Sequence, residues 1–351
     1  MNVAIDLTGE MISYSCFDGK EIVTEILRNT IGFRTKDLFK IDGALRALMQ
    51  VTKDMIEFSQ GISIKEVICA VPSYCTYNDR KQLKTAASEC GMNVRKVIRG
   101  SLASAFLLFQ TEKPEKKTIV LCGVHSDHAE LLTFWADGAV LEVLGSTSMR
   151  FEKDAGQDPE NLKKRIQSEL KAMYSELGMN YGQKGETVYA AFDEQAGAVK
   201  DIFTETLESC FGTTVLPFEN DPAKGALYHL MKLTAFDGAS IRECRLVDCC
   251  GEAISIVSGV GDDLKEVVSR NSQLPVQKTV DLMVSSDNVV IFYSGNYRNR
   301  KYDEVIGTCR IPGAYRGQVI YVKATLNEDE IVEYTVLDFK KQIIYPKAFL
   351  N

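Results

Sequence analysis

Cys122, His125, Asp127 and His128 place four side chains able to hold a metal or move a proton within seven residues. Cys-x-x-His is a spacing zinc can use, but a closed structural site takes four ligands, with a second pair supplied from elsewhere. The only other histidine of the chain is His229. A turn open to solvent is therefore the expectation for residues 122–128, and no metal is assigned. Asp6 and Glu10 bring two carboxylates together near the N-terminus. They read as an acid/base pair or, for Asp6, as a residue kept from an ancestral metal site. Cys249-Cys250 has the look of a redox or metal pair, yet neighbours on a strand point to opposite faces, so packing is expected. No Gly-x-Ser-x-Gly elbow and no Gly-x-x-x-x-Gly-Lys-Ser/Thr loop occurs, so no catalytic residue is assigned.

Composition narrows the partners. The net charge is -7 and acidic and basic residues are interspersed, which leaves no basic footprint for a phosphate backbone. Nucleic acid is not an expected partner. Met1-Asn2-Val3-Ala4-Ile5-Asp6 has neither a basic start nor an apolar core of a signal peptide, and no apolar run reaches bilayer length. A cytoplasmic protein without a membrane partner is expected, and its ten cysteines then read as reduced, mostly buried thiols. A length of 351 residues fits two domains.

The elements that must position these side chains follow a repeated plan. Val3–Glu10, Met11–Cys16 and Glu21–Leu27 read as a three-stranded meander. A helix is expected from a cap at Asp42 to about Phe58, then a buried strand at Val67–Val71, a helix at Asp79–Cys90 closed by Gly91, a strand at Val94–Ile98 and a helix at Leu102–Phe109. After the linker 113–117 the plan returns. Thr118–Leu121, Ala129–Phe134 and Val140–Gly145 form a second meander, and Asp158 and Pro159 start a long helix that stops at Gly178. A strand at Val188–Phe192 and helices at Glu194–Phe211 and Pro222–Phe236 complete it. Strands alternating with helices signal an α/β layer. From Val268 to Val336 the chain reads almost wholly as short strands, with alternation in Ile320–Leu326 and at Val332, Tyr334 and Val336, and turn residues at Asn271, Asn288 and Asn327.

The turns of this β-module carry a resemblance. Arg270-Asn271, Leu274-Pro275, Asp287-Asn288, Gly295, Ile306-Gly307 and Ile311-Pro312-Gly313-Ala314-Tyr315-Arg316-Gly317 resemble, in order and spacing, the peptide-binding β-sandwich of the DnaK-type chaperones, the seventy-kilodalton heat-shock family. Val71-Pro72-Ser73-Tyr74 with Arg80, Lys84, Ala86 and Gly91 resembles that family's Val-Pro-Ala-Tyr segment, and Ala223-Lys224-Gly225-Ala226 its Ala-Tyr-Gly-Ala. The resemblance implies a duplicated α/β, actin-like (ribonuclease H-like) domain over residues 1–244, in halves of about 1–112 and 118–240. An all-β sandwich over 245–351 follows it, and Arg245-Leu246-Val247-Asp248 resembles the interdomain linker.

Departures fall on the residues that handle phosphate in that family. Its opening Asp-Leu-Gly-Thr-Thr is matched by Asp6-Leu7-Thr8-Gly9-Glu10, where a β-branched residue replaces the first glycine and Glu10 sets a carboxylate against a polyphosphate. Its Asp-Leu-Gly-Gly-Gly-Thr falls on Cys122-Gly123-Val124-His125-Ser126-Asp127, without the lead aspartate and most glycines of an anion nest. Its catalytic acidic residue falls on Gly100, and its adenosine-side Gly-Gly on Ala190-Ala191. The intervals Leu27–Asp42 and Arg150–Asp158 are too short for the two lobes that complete its cleft. Asp6, Thr8, Gly9 and Gly123 thus mark a degenerate nucleotide site, with no cofactor and no ATPase activity expected.

In the β-module the resemblance implies a pocket for an extended apolar peptide lined near Ile256, Leu282, Val289, Ile291 and Ile320, with Ser285 at the position of a small arch residue. The competing reading of the same residues is sandwich core. The family's helical lid is not expected after the last strands. The function expected is a chaperone-like scaffold that binds extended apolar peptides or partner proteins without hydrolysing ATP. The alternatives are an ATP- and magnesium-binding chaperone with divergent phosphate loops, and an actin-like assembly protein.

Overall fold

The structure, a computed structural model, describes residues 1–9, 11–27, 38–39, 41, 43–152, 155–179, 185–193, 196–197, 199–236, 241–258, 264–284, 288–295, 304–311, 313–314, 316–327 and 330–349. It divides into two compact units, residues 1–75 with 79–246, and residues 76–78 with 247–351.

In the first unit β1 (Asn2–Asp6), β2 (Ile12–Phe17) and β3 (Ile22–Leu27) form an antiparallel meander. β4 (Glu66–Val71) and β5 (Asn93–Arg99) add parallel to β1, giving the order β3-β2-β1-β4-β5. Val67 to Val71 are all buried, as expected of a parallel strand covered on both faces. Among the described residues the helices of this half are α1 (Ala44–Gln60), α2 (Tyr77–Glu89) and α3 (Gly100–Glu112). The second half repeats the plan with β6 (Lys117–Val124), β7 (His128–Ala136), β8 (Val140–Arg150), β9 (Thr187–Phe192) and β10 (Leu216–Pro217) in the order β10-β9-β6-β7-β8. Its helices α4 (Pro159–Glu176), α5 (Val199–Phe211) and α6 (Pro222–Leu233) stand between the same strands as their counterparts.

Local chemistry explains the ends. Asp158 caps α4, its carboxylate accepting a hydrogen bond from Asn161 N at 3.1 Å, and Gly178 stops it at φ 62°. The cap expected of α1, Asp42, lies outside the described residues; Gly43 holds the N-cap position at φ 73° without a side-chain bond. β6 runs three residues past Leu121 and β8 reaches Arg150, because both keep pairing with β7 along its whole length. Arg245–Val247, within the expected linker, forms β11, an edge strand beside β8, with Arg245 N donating to Ala139 O at 2.7 Å, and the boundary between the units falls between Leu246 and Val247. The last helices of the halves, α3 and α6, pack on each other at a close approach. A Cβ on Gly225 would stand 1.9 Å from the carbonyl oxygen of Ala103.

Among the described residues the second unit has two four-stranded antiparallel sheets. One orders β13 (Lys265–Val268), β12 (Ala253–Ser258), β15 (Val289–Gly295) and β16 (Glu304–Arg310). The other orders β14 (Val276–Met283), β17 (Val319–Leu326), β18 (Val332–Leu337) and β19 (Ile343–Phe349). Ile254, Ile256 and Phe292 of the first sheet share one apolar core with Leu282, Ile320, Val322 and Val336 of the second. Asn271 and Asn288 adopt left-handed φ of 64° and 53°, the turn conformation that asparagine tolerates best after glycine. Cys249 and Cys250 are both buried and every cysteine is free.

Candidate functional site

The cleft between the two halves of the first unit gathers most of the polar residues that the sequence singles out. Asp6 ends β1, 7 % exposed, and its Oδ1 accepts from Thr8 N at 2.8 Å and Thr8 Oγ1 at 2.7 Å. Thr8, itself buried, turns its methyl to α3, where a Cβ on Gly100 would lie 2.3 Å from Thr8 Cγ2. The glycine at position 100 is thus a steric requirement of the threonine. Gly9 follows Thr8 at the surface of this turn, and Glu10 lies outside the described residues. Gly123 sits within β6, paired with Glu130 of β7 and Ala191 of β9, so the first half of the stretch matched to a glycine-rich loop, Cys122–Val124, is strand.

Residues 125–128 make a tight hairpin in which His125 N donates to His128 O at 2.8 Å. Cross-strand neighbours in such a hairpin face each other, and the imidazoles stack with centroids 4.3 Å apart and planes 7° apart. The expected solvated turn is corrected here: His125 is 8 % and His128 1 % exposed. His128 Nδ1 bonds Asp127 Oδ1 at 2.9 Å, and its ring meets Tyr74 edge-on, with the Arg150 guanidinium 3.9 Å from the tyrosine ring. Cys122 takes no part. It packs with Val120 and Val124 in the core, where burial pushes its thiol up to about 12. Among the described residues no three His, Cys, Asp or Glu side chains converge as a metal site.

Burial and the surrounding carboxylates divide the two histidines. Burial opposes charge on His125, but Asp193, Glu130 and Asp6 outweigh it and hold its pKa above the ordinary value. At His128 burial prevails over the Asp127 hydrogen bond and lowers the pKa. Of the two stacked rings, His125 therefore takes up an added proton more readily than His128.

Glu130, which motif reasoning does not find, is the centre of the cleft. It is 2 % exposed, and its oxygens accept from the backbone N–H groups of Ser73 at 2.5 Å and Ser101 at 2.9 Å. A sign of it stands in the sequence, since it is the one charge in the apolar run Ala129–Ala136. Other bonds join the halves around it: Arg99 Nη1 to Ser146 Oγ at 2.6 Å, Ser104 Oγ to Asn220 Oδ1 at 2.5 Å and Thr24 Oγ1 to Asp221 Oδ2 at 2.8 Å. Among the described residues the cleft keeps a cavity of about 10 Å³, lined by Thr8, Gly100, Ser101, Ser104, Gly123, His125, Glu130, Ala191 and Asn220. That is room for about one water, less than a phosphate group needs, and a carboxylate faces it. A triphosphate entering this cavity would meet the Glu130 carboxylate, a repulsion of like charges.

The first unit also holds two buried groups with opposite responses to acid. His229 on α6 lies against the Phe106 ring at 4.6 Å, and neither ring nitrogen has a hydrogen-bond partner among the described residues. Burial, with Lys96 and Lys232 adding, lowers its pKa from 6.5 to about 3. The unfolded chain then binds the extra proton, so stability from His229 is complete above pH 6.5 and falls as pH drops toward 3. Burial raises Asp6 from 3.8 to about 6, against the Thr8 bonds. Here the folded chain binds the extra proton, and stability falls as pH rises from 3.8 to 6. Each slope is at most about 1.4 kcal/mol per pH unit. Between about pH 4 and 6 they oppose, so denaturant midpoints of the wild type should change little there through these groups. His229→Leu should make the protein more stable on acidification, and Asp6→Asn less stable. Parallel pH profiles for both variants and wild type would contradict this.

The peptide-pocket residues expected in the second unit do not share one surface. Ile256, Leu282 and Ile320 are 0 %, 4 % and 0 % exposed and belong to the core, Leu282 and Ile320 as a directly paired couple. Val289 and Ile291 are half-buried on the other face of β15 from the core residues Val290 and Phe292. Ser285 lies outside the described residues.

No family model matches the sequence. Over 185 residues, 47 % of this chain, it is 25 % identical to a heat shock protein 70 homolog of Schizosaccharomyces pombe. The matched part is 32 % of that protein, so the chain spans about a third of the length of the curated relative it matches. The similarity supports a distant relation to heat-shock protein 70 homologues. No described helix is long and apolar enough to cross a membrane.

Proposed function

We propose that this chain is a shortened, nucleotide-independent relative of the DnaK-type chaperones, built as a duplicated actin-like domain followed by a β-sandwich, and that it serves as a scaffold for extended apolar peptides or partner proteins in the cytoplasm. The repeated order β3-β2-β1-β4-β5 and β8-β7-β6-β9-β10 supports the duplicated domain. The single observation that carries the loss of nucleotide is the cleft, where Glu130 occupies the backbone donors and about 10 Å³ stays open. Asp6 caps the Thr8 turn.

Without a nucleotide to change its state, such a scaffold holds one affinity. Fluorescence anisotropy with a labelled heptapeptide centred on leucine should give binding at micromolar strength or weaker, about -8 kcal/mol at best, unchanged by MgATP. Peptide release accelerated by MgATP would overturn the nucleotide-independent part of the reading. Absence of any saturable binding for apolar peptides would overturn the scaffold part.

A further inference from the structure

We propose that Glu130 is an internal substitute for an anionic ligand: a carboxylate carried on β7 of the second half that closes the cleft by taking two backbone N–H groups of the first half. Ser101 lies in the first turn of α3, where N–H groups lack partners within the helix and the helix dipole favours negative charge. Ser73 follows Pro72 in the turn after β4, and its N–H is aimed at the same carboxylate. The two donors come from separate segments of one half, and the acceptor comes from the other half, with one oxygen for each donor. Gly100, kept free of a Cβ by Thr8, lies beside the same carboxylate, its Cβ position 3.5 Å from Glu130 Oε2. His128 Nε2, 3.8 Å from Glu130 Oε1, backs the carboxylate from its own half.

A protein with an open cleft shuts when a ligand bridges its halves. Here the bridge is covalently part of the chain, so the halves stay in one setting with no ligand present. The inference goes beyond the scaffold reading and does not depend on what the second unit binds.

The test uses the full chain and hydrogen exchange read by peptide mass spectrometry. Glu130→Ala should speed exchange at segments 72–75 and 99–104 by about tenfold, while β17 in the second unit stays at its wild-type rate. Sodium formate, a small carboxylate able to enter the vacated seat, should slow those two segments again in Glu130→Ala and leave the wild type unaltered. Sodium chloride at the same ionic strength should do neither. Unchanged exchange in Glu130→Ala overturns the proposal. So does a local rise that formate fails to reverse, because the donors would then not form an anion seat. If Glu130→Ala does not fold, Glu130→Gln decides, since an amide keeps one acceptor and should release only one of the two segments. Wild-type exchange at both segments in Glu130→Gln overturns the proposal.

Discussion

Replacing Gly225 by alanine is expected to destabilise the first unit by several kcal/mol, roughly 3 or more. Intrinsic preference points the other way, because alanine in a helix interior is favoured over glycine by about 1 kcal/mol. The clash decides the sign. The new Cβ would lie 1.9 Å from the Ala103 oxygen and 2.7 Å from its carbonyl carbon, backbone atoms of α3 that no rotamer change can move. α3 and α6 would have to separate, opening the contact that also holds Phe106 and Leu107. Thermal unfolding of the full chain should show the first unit melting far earlier and the second unit nearly unaltered. An equal or raised midpoint for Gly225→Ala would mean that the two helices are not in this contact.

Leu282→Asp and Ile291→Asp should part company. Leu282 is 4 % exposed and faces Ile320 across β14 and β17, so an aspartate there is an unpaired charge in the core of the second unit. A cost of several kcal/mol, enough to unfold that unit, is expected. Ile291 lies on the other face of β15, half-buried, and its aspartate should leave the fold intact with at most about 1 kcal/mol lost. A drop in peptide affinity in folded Ile291→Asp would locate binding on that face. Circular dichroism and amide NMR separate the outcomes, and a folded Leu282→Asp would contradict its place in the core.

The contrast between these two residues explains what could be read from the chain. Ile320-Tyr321-Val322-Lys323-Ala324 alternates apolar with polar, and the inward face of β17 follows from it. Val289-Val290-Ile291-Phe292-Tyr293 is apolar throughout, so period two cannot say which side of β15 meets the core. Ends set by local chemistry are legible, as at Asp158-Pro159 and Gly178 around α4. Partners set by distant chain are not. Glu130 meets Ser73 and Ser101 across sequence separations of 57 and 29 residues, and β11 is three residues whose pairing with β8 leaves no periodic mark. The phosphate-site departures at Thr8, Gly100 and Gly123 are visible as substitutions, but their mutual fit, the Thr8 methyl against Gly100 within the first half and Gly100 beside the Glu130 carboxylate of the second, exists only in the folded chain.

The cleft is expected to take no nucleotide. Titration calorimetry of the full chain with MgATP tests it most directly. Only heats of dilution are expected up to about 1 mM nucleotide, the concentration corresponding to a binding free energy of about -4 kcal/mol. A saturable heat with near-equimolar stoichiometry, weakened by Asp6→Asn, would contradict it.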